Sequence, residues 1–428
     1  MAITAVVIGA GNRGRFVYGR WAREHAERLR VVAVAEPHDE RRAAFAAEHG
    51  LAPERVFRDW SDGLAGPRLA DVAIVATGDT LHTEPALVAI ERGYDVLLEK
   101  PIAPTPAECV RVVEAAEAAG RLLQIGHVLR YSRFYETVHR IVSEGRIGDV
   151  VHVDMKEHVA HWHMTHSYVR GKFRNREIAA PILLAKSCHD LDLLAWLVGR
   201  PALRVASFGA LTHFRKDRAP AGAPPRCTDE CPARAGCPHD AVAFYEAPDE
   251  RLARAWPWSD VSLDPSREAR RAALATGRYG RCVFQCDNDV LDHQVVALEF
   301  EGGITASFGL QGLAPREQRT IRVTGTRGEL RGLLDGGVIE VERPGVLGAE
   351  RFAIEGSLLG HYGGDVGLMR HFVELLETGS RAVRASGRAA LESHLVGFAA
   401  EQARAEGRVV DMQAYRDAAY AAAGIPRR

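Results

Sequence analysis

Four short stretches of this 428-residue sequence carry residue types and spacings that could do chemistry. The first is a glycine-rich run from Gly9 to Gly14, and the second is the tripeptide Glu99-Lys100-Pro101. The third runs from Lys186 to Asp192 and contains an amine, an imidazole and two carboxylates, whereas the fourth is a group of five cysteines between positions 227 and 286. Amines and imidazoles transfer protons, and thiolates bind metals, so proton transfer and metal binding are the first chemistries to consider.

The glycine-rich run has the G-x-G-x-x-G spacing of a dinucleotide-binding turn. It follows an apolar strand over Ile3 to Ile8 and precedes a helical pattern from Phe16 to Glu27, which is the context that this motif requires. A second strand ends at Glu36, where a carboxylate could bind the adenine ribose hydroxyls. Because a carboxylate there would repel a 2′-phosphate, the pattern favours NAD over NADP.

The elements that position these residues change character at about residue 127. Before it, apolar strands alternate with helices, which predicts a Rossmann-type, doubly wound parallel sheet over residues 1–127. After it, a helix is predicted over Ile182 to Val198 and several alternating strands predict an α/β domain over residues 128–385 with a large, mostly antiparallel open sheet. Residues 213–288 lack periodicity and are predicted to be an insertion. Residues 386–428 are predicted to form C-terminal helices that pack back on the domains.

Composition narrows the class of protein. The chain has 55 basic and 56 acidic residues, a balance that argues against a nucleic-acid-binding surface. No apolar run approaches the roughly 18 residues of a membrane span, and the sequence begins directly with a strand. An odd number of cysteines, seven, argues against a secreted disulfide framework. We therefore expect a cytoplasmic protein.

The first three motifs together resemble those of the glucose-fructose oxidoreductase and inositol dehydrogenase (Gfo/Idh/MocA) family of NAD(P)-dependent oxidoreductases. The resemblance covers most of the chain apart from the insertion. It implies NAD(P) binding by the N-terminal domain and oxidation or reduction at a carbon of a sugar, cyclitol or similar polyol. It also implies contacts between copies through the C-terminal sheet, in a homodimer or homotetramer.

The resemblance assigns catalytic roles to Lys100 and His189. In the family, the lysine of the E-K-P motif lies beside the nicotinamide, where it could bind the reacting hydroxyl and pass on its proton. His189 resembles the helical histidine that shares in this proton transfer. The alternatives are a structural Lys100 paired with Glu99 and a His189 that is only a core residue. Asp192, three residues after His189, could orient the imidazole or could form an interdomain pair.

The motifs and the resemblance together predict which residues bind the cofactor and the substrate. Position 185, where many family members have an aspartate, is alanine, and Lys186 is predicted to share a helix face with His189. The H-S-Y-V-R-G run from His166 to Gly171 resembles a substrate-facing loop, although a hydrated surface loop or a metal-binding histidine cluster would also fit. The predicted substrate-binding residues are Lys186, His166, Arg170 and Asp190. The predicted cofactor-binding residues are Gly9, Gly11, Asn12, Arg13, Gly14, Glu36, Thr77, His82, Glu99 and Lys100.

The cysteines of the insertion could bind a structural zinc ion. Their spacings are C-x3-C-x5-C and, about 45 residues later, C-x3-C. The predicted ligands are four of Cys227, Cys231, Cys237, Cys282 and Cys286, or three of them with His239. An iron–sulfur cluster and unliganded thiols are the alternatives.

These observations predict an NAD-dependent oxidoreductase that acts on a secondary alcohol of a sugar or cyclitol. One alternative is a redox-neutral, NAD-dependent enzyme that cleaves glycosides by oxidation, elimination and reduction. The other is a non-catalytic nucleotide-binding regulator. The alanine at position 185, where many family members have an aspartate, is compatible with this alternative.

Overall fold

The computed structural model describes residues 2–355 and 360–427. The N-terminal part contains a six-stranded sheet with the order β3-β2-β1-β4-β5-β6, in which all pairs are parallel. Its strands are β1 (Ile3–Ile8), β2 (Leu29–Ala35), β3 (Val56–Phe57), β4 (Val72–Val75), β5 (Asp95–Leu98) and β6 (Leu123–Ile125). This order is that of a doubly wound dinucleotide-binding sheet, which confirms the predicted Rossmann fold.

Helices cover both faces of this sheet. The chain enters its first helix just after the glycine-rich turn, with a π-helical stretch over Gly14–Gly19 that continues into α1. The helices of this part are α1 (Arg20–Glu24), α2 (Asp39–His49), α3 (Trp60–Ala65), α4 (Thr83–Glu91) and α5 (Pro106–Ala118). The strands of this six-stranded sheet are mostly buried, as their runs of valine, isoleucine and alanine predict.

The second sheet has nine strands in the order β14-β13-β12-β11-β7-β10-β9-β8-β15. Among the described strands of this second sheet, only the β7–β10 pair is parallel, so the predicted mostly antiparallel sheet is confirmed. Its strands are β7 (Val150–Ala160), β8 (Ala202–Ala210), β9 (His293–Phe300), β10 (Thr305–Ala314), β11 (Gln318–Gly325), β12 (Gly328–Leu333), β13 (Val338–Glu342), β14 (Glu350–Ala353) and β15 (Val410–Asp411).

One face of the nine-stranded sheet packs against helices. Helix α14 contacts α9, β8 and α5, so the C-terminal helices join the two sheets. The helices of this part are α6 (Arg133–Ser143), α7 (His161–His163), α8 (Ile182–Ala185), α9 (Cys188–Val198), α10 (Ala241–Glu246), α11 (Glu250–Ala253), α12 (Arg267–Thr276), α13 (Gly364–Thr378), α14 (Gly387–Glu406) and α15 (Met412–Ala423).

Two sequence predictions need correction. The helix predicted over Ile182 to Val198 is broken into α8 and α9, because Lys186 and Ser187 leave the helical path between them. Lys186 and His189 therefore do not share one helix face. The insertion, for which no regular structure was predicted, contains α10, α11 and α12, whose short lengths give too few turns for a clear apolar period.

The cores show how the parts are held together. One apolar cluster fills a face of the six-stranded sheet and includes Leu368 and Phe372 of α13, a helix from the C-terminal part of the chain. The other cluster runs without a break from the opposite face of that sheet to the inner face of the nine-stranded sheet. The junction between the two sheets is thus a packed interface, and the chemical groups described next lie in it.

Candidate active site

The glycine-rich turn leaves one side of its backbone open. Gly9 has a φ of 92°, and a Cβ there would lie 2.6 Å from the Ala76 carbonyl oxygen. A Cβ on Gly14 would meet the Gly9 carbonyl oxygen at 1.9 Å, so this glycine lets the helix approach the strand. At Gly11, no atom of the described chain lies within 4 Å of the Cβ position. A phosphate group can therefore reach the backbone at Gly11, beside the start of the helix.

Glu36 lies next to this turn, at the end of β2. Its carboxylate accepts hydrogen bonds from the backbone N–H of Ala10, at 2.7 Å, and of His38, at 2.9 Å. Each oxygen uses one acceptor position for these bonds, and a carboxylate offers about four, so the group retains capacity for ligand hydroxyls. The turn, the open Gly11 and the carboxylate together fit the adenosine and pyrophosphate parts of NAD.

In the segment after β4, the side chains of Thr77 and His82 bind main-chain carbonyl oxygens of the protein. The Thr77 hydroxyl donates to the Leu81 carbonyl oxygen at 2.9 Å. The buried His82 ring has Nδ1 2.6 Å from the Pro101 carbonyl oxygen and Nε2 3.3 Å from that of Thr77. Both ring nitrogens face protein carbonyls, so we correct the predicted cofactor-binding role of His82 to one of positioning the Lys100-Pro101 segment.

Arg13 and Glu99 bind each other. The Arg13 guanidinium and the Tyr18 hydroxyl both donate to the Glu99 carboxylate, and Arg13 Nη1 is 2.8 Å from Asp365 Oδ1. Asp365 also accepts from His361 Nδ1 at 3.1 Å. Burial works to raise the pKa of Glu99, but the charge of Arg13 holds it below its usual value. This ionised cluster joins the glycine-rich turn to the start of α13.

Lys100 extends from the end of β5 across the domain junction. Its Nζ donates to the Ala185 carbonyl oxygen at 2.8 Å, at the last residue of α8. Its own backbone N–H donates to Glu99, whose carboxylate is otherwise taken by Arg13 and Tyr18. The amine is therefore held by a main-chain oxygen at position 185, the position where a carboxylate side chain is missing. The acceptor that orients the amine is therefore a neutral main-chain oxygen.

His189 lies in the first turn of α9 and is only 5% exposed. Its ring centre is 5.6 Å from that of His127 and 5.9 Å from that of His361, and its Nδ1 has no hydrogen-bond partner among the described residues. Burial, followed by the positive charge of Lys100, lowers the pKa of His189 well below its usual value. The imidazole is thus neutral near pH 7.

A second charged cluster lies behind Lys186. Lys186 Nζ is 3.1 Å from Glu157 Oε1, and Arg319 donates to both Glu157 and Asp190. The Ser187 hydroxyl donates to the remaining Glu157 oxygen at 3.0 Å. Although burial works to raise the pKa of Glu157, the charges of Arg319 and Lys186 hold it below its usual value.

This cluster fixes the position of the break between α8 and α9. Glu157 on β7 and Arg319 on β11 are direct cross-strand partners, so the sheet register places their side chains together. Asp190 is fully buried and accepts a hydrogen bond from Arg319. Its carboxylate therefore holds Arg319 in place and is not exposed to a substrate. Lys186 keeps 14% of its side chain exposed and remains a candidate substrate contact.

Asp192 forms the interdomain pair and does not orient His189. Arg130 Nη2 is 2.7 Å from Asp192 Oδ1, and the Ser393 hydroxyl is 3.5 Å from the same oxygen. All three side chains are buried. Asp192 therefore fastens α9 to the segment after β6 and to α14.

His166 and Arg170 lie against the insertion. His166 Nδ1 is 2.7 Å from the Tyr245 hydroxyl, and its ring stacks on Tyr279 at 4.6 Å. Arg170 is 2% exposed and donates to the carbonyl oxygens of Arg281, at 2.7 Å, and His239, at 2.6 Å. We therefore correct the predicted substrate-binding role of both residues to one of anchoring the insertion.

Four of the five clustered cysteines line one apolar cavity. They are Cys227, Cys231, Cys237 and Cys282. The two cysteine segments lie side by side, since Cys227 N donates to Gly280 O and Cys282 N donates to Pro225 O, both at 2.8 Å. Cys286 points elsewhere and donates to the Cys282 carbonyl oxygen. Over residues 2–355 and 360–427, no three His, Cys, Asp or Glu side chains are already arranged as a metal-ligand set, so zinc binding stays a prediction.

Sequence reasoning missed three charged residues of the site, namely Glu157, Arg319 and Glu317. Glu157 offered one signal, because it occupies an inward-facing position of an alternating strand where an apolar residue is the rule. Its partner Arg319 is 162 positions away in the sequence, and only the register of β7 and β11 brings the two together.

Two models of known families match the chain. The family described as "Oxidoreductase family, NAD-binding Rossmann fold" matches residues 3–127, and its "C-terminal alpha/beta domain" matches residues 140–412. The chain therefore belongs to this glucose-fructose oxidoreductase and inositol dehydrogenase (Gfo/Idh/MocA) family, as its motifs predicted.

Individual relatives agree with this assignment. The chain is 34% identical over 173 residues to inositol 2-dehydrogenase 2 of Saccharopolyspora erythraea, a match that covers 40% of this chain and 47% of that protein. It is 32% identical over 207 residues to an inositol 2-dehydrogenase of Ralstonia nicotianae, covering 46% and 55% of the two chains. The chain thus spans about half the length of these curated relatives.

The fold also matches solved structures. An oxidoreductase from Agrobacterium radiobacter, crystallised with NAD+, L-tartaric acid and magnesium, aligns with a TM-score of 0.68 and 16% identity, covering 97% of this chain and 99% of the other. At this level of identity the likeness establishes the fold alone. In the described part of the chain, no helix is both long enough and apolar enough to cross a bilayer.

Proposed function

We propose that this protein is an NAD-dependent oxidoreductase that oxidises or reduces a secondary alcohol of a sugar, cyclitol or related polyol. The observation that carries the proposal is the meeting of Lys100 and His189 at the junction of the two domains. Lys100 comes from the end of a Rossmann strand and reaches the Ala185 carbonyl oxygen at the end of α8, four residues before His189 in the first turn of α9. The charge of Lys100 also helps to lower the pKa of His189. Family membership and the inositol dehydrogenase relatives support the same activity.

Lys100, His189 and Lys186 have different roles in the proposed reaction. The Lys100 amine, held by the Ala185 carbonyl, binds the reacting hydroxyl and exchanges its proton. His189 is neutral and has an unbonded ring nitrogen, so it accepts or returns that proton. Lys186 binds a neighbouring hydroxyl. When bound at the glycine-rich turn, NAD supplies the redox chemistry, and the protein supplies position and electrostatics.

We propose that NAD is preferred over NADP. Glu36 adjoins the glycine-rich turn with acceptor capacity to spare, and its charge would oppose that of a 2′-phosphate. We expect at least about tenfold tighter binding of NAD+ than of NADP+ in calorimetric titrations, since a like-charge contact of this kind costs several kcal/mol. Equal affinities would contradict the assignment of Glu36.

The activity is tested by incubating the purified protein with NAD+ and a panel of inositols, aldoses, polyols and glycosides. NADH absorbance and released products are recorded together. We expect NADH to form with at least one cyclic polyol or sugar. Release of an aglycone without net NADH would indicate the redox-neutral reaction instead, and absence of both products with every compound would favour a non-catalytic nucleotide-binding protein.

We propose that copies of the chain associate through the outer face of the nine-stranded sheet. Phe208 and Val295 are direct cross-strand partners on that face and are 71% and 53% exposed. Adjacent exposed apolar side chains of this kind mark interaction surfaces.

The seven cysteines form no disulfide in the described structure, which supports a reducing compartment such as the cytoplasm.

We also propose that the four cysteines of the shared cavity bind zinc. Four thiolates are a tetrahedral zinc set, and the ion would have to draw the side chains into ligand positions. Elemental analysis of protein purified without chelators should show one zinc per chain. The Cys282→Ala variant should lose it, whereas Cys286→Ala, whose thiol lies outside the cavity, should retain it. A zinc-free preparation of full stability would contradict this proposal.

A further inference from the structure

The insertion brings an aromatic side chain to the site. Trp256 belongs to the insertion and is 37% exposed, a high value for an indole. Its ring centre lies 4.9 Å from that of His163 and 5.5 Å from those of Trp162 and His166. These neighbours meet it edge-on or tilted, at interplanar angles of 77°, 57° and 88°. Within the described residues, no ring stacks face to face on the indole.

Polar groups connect this indole to the proposed reaction centre. His163 Nδ1 is 2.7 Å from Glu317 Oε1. Burial is the main cause that lowers the pKa of His163, and the charge of Lys186 is the second. Lys186 in turn adjoins Ala185, whose carbonyl holds the Lys100 amine. Lys186 Nζ is 3.1 Å from Glu157 on β7, and Glu317 binds the Ala160 N–H at the end of the same strand. The row of side chains from Lys100 through Lys186, Glu317 and His163 to Trp256 thus follows the end of β7.

The row becomes more open toward the insertion. The side chains of Lys186 and His163 are 14% exposed, that of Glu317 is 32% exposed, and Trp256 is 37% exposed. Glu317 binds His163 and the Ala160 N–H through Oε1 only, so its Oε2 makes no hydrogen bond within the described part of the chain. The outer end thus combines an aromatic surface with a free carboxylate acceptor.

This combination matches the chemistry of a sugar ring. A pyranose has an apolar C–H face that packs on an aromatic ring, and hydroxyl groups at its edge that donate to carboxylates. A free inositol or monosaccharide bound at Lys100 is a single ring and offers nothing to fill a second position farther along the row. A substrate with two linked rings would occupy both.

We propose that Trp256 and Glu317 form a second sugar subsite, so that the substrate is a glycoside or oligosaccharide whose reacting ring lies at Lys100 and whose second ring packs on Trp256. The inference rests on the proposed oxidoreductase function and narrows its substrate class. Because Trp256 belongs to the insertion, the insertion would supply the aromatic surface of this subsite.

The experiment compares the most active sugar of the panel in two forms, the free monosaccharide and a disaccharide that contains it. For the wild type we expect kcat/KM to favour the disaccharide by about tenfold or more, the size of effect that one buried aromatic contact gives. Trp256→Ala should abolish this preference and leave the monosaccharide value within about twofold, whereas Trp256→Phe should retain most of it. Leu263→Ala, which removes another exposed apolar side chain of the insertion, is the control and should change neither value.

Fluorescence titration of the same proteins with the disaccharide provides a readout that does not depend on turnover. If no sugar is oxidised but the wild type binds the disaccharide and Trp256→Ala binds it about tenfold more weakly, the subsite stands and the proposed function fails. If the wild type neither prefers nor binds the disaccharide better than the monosaccharide, or if Trp256→Ala affects both sugars equally, the subsite is overturned.

Discussion

Two groups of histidines lie on opposite sides of the Lys186 segment and differ in how their nitrogens are used. At the domain junction, His189 Nδ1 and both ring nitrogens of His127 are buried without a hydrogen-bond partner among the described residues, although His127 Nε2 lies 3.8 Å from Asp192 Oδ1. Against the insertion, His166 binds the Tyr245 hydroxyl and stacks on Tyr279. Burying an unbonded polar atom costs free energy, which a ligand bound at the junction would offset. His189 is therefore available for chemistry, whereas His166 holds the fold.

The largest expected effect contrasts His189 with His166. His189→Asn should lower kcat by about 10²- to 10⁴-fold, the range for loss of a general acid or base, with little change in thermal stability. His166→Asn should keep kcat within about threefold, because this ring is already bonded within the protein. Steady-state kinetics and thermal unfolding of both variants check this contrast. Similar losses of activity in the two variants would remove the distinction between the two groups.

The buried ion cluster beneath the junction should matter mostly for stability. Glu157→Gln leaves Lys186 without its carboxylate and Arg319 with one partner fewer, so we expect a loss of about 3 to 5 kcal/mol in the free energy of unfolding. The matched control is Glu24→Gln in α1, where an exposed pair with Arg20 should contribute no more than about 1 kcal/mol. Denaturant titrations measure both values, and equal losses would contradict the assigned role of burial.

A smaller loss of stability is expected on the insertion side. His166→Asn removes the bond to Tyr245 and the stacking on Tyr279, which should lower the free energy of unfolding by about 1 to 3 kcal/mol. His152→Asn, which removes a hydrogen bond to Thr305 in an exposed position, serves as the control and should change it by less than about 1 kcal/mol. If His166→Asn is as stable as the control, His166 does not anchor the insertion.

The smallest effect concerns mild acid. Burial, followed by the charge of Lys100, lowers the pKa of His189, so this ring should stay neutral where an ordinary imidazole, with a pKa near 6.5, takes up a proton. The unfolded chain does take up that proton, and His189 therefore contributes stability above pH 6.5 that declines as the pH falls below it. Nitrogen NMR of labelled histidine, with His189→Asn to assign the signal, should show no titration at pH 6.5. A midpoint there would contradict the buried, neutral state.

The N-terminal half of the site was the more accessible to prediction from sequence, because its signals are local. Gly9, Gly14 and Glu36 act within one strand-turn-helix unit and the following strand, so their spacing alone carries their roles. Lys100 was equally accessible through its motif at a strand end. The roles of these residues toward cofactor and substrate remain predictions.

The C-terminal half was less predictable for physical reasons. The break at Lys186 and Ser187 depends on Glu157 and Arg319, which reach it from two strands far apart in the sequence. No local propensity encodes such a break. His166 and Arg170 resembled a substrate loop in sequence, but contacts with the insertion, whose fold has no clear period, assign them to anchoring it.

The most direct test of the account is a single-turnover measurement with wild type, Lys100→Arg and Lys100→Met, using NAD+ and the best polyol of the panel. Calorimetry on the same samples first establishes that all three bind NAD+ with similar affinity. We predict that the rate of NADH formation falls by about 10²-fold or more in Lys100→Met and that Lys100→Arg, which keeps the charge but cannot give up its proton, does not restore it. An unchanged rate in Lys100→Met, with NAD+ bound, would show that the amine at the domain junction takes no part in the reaction.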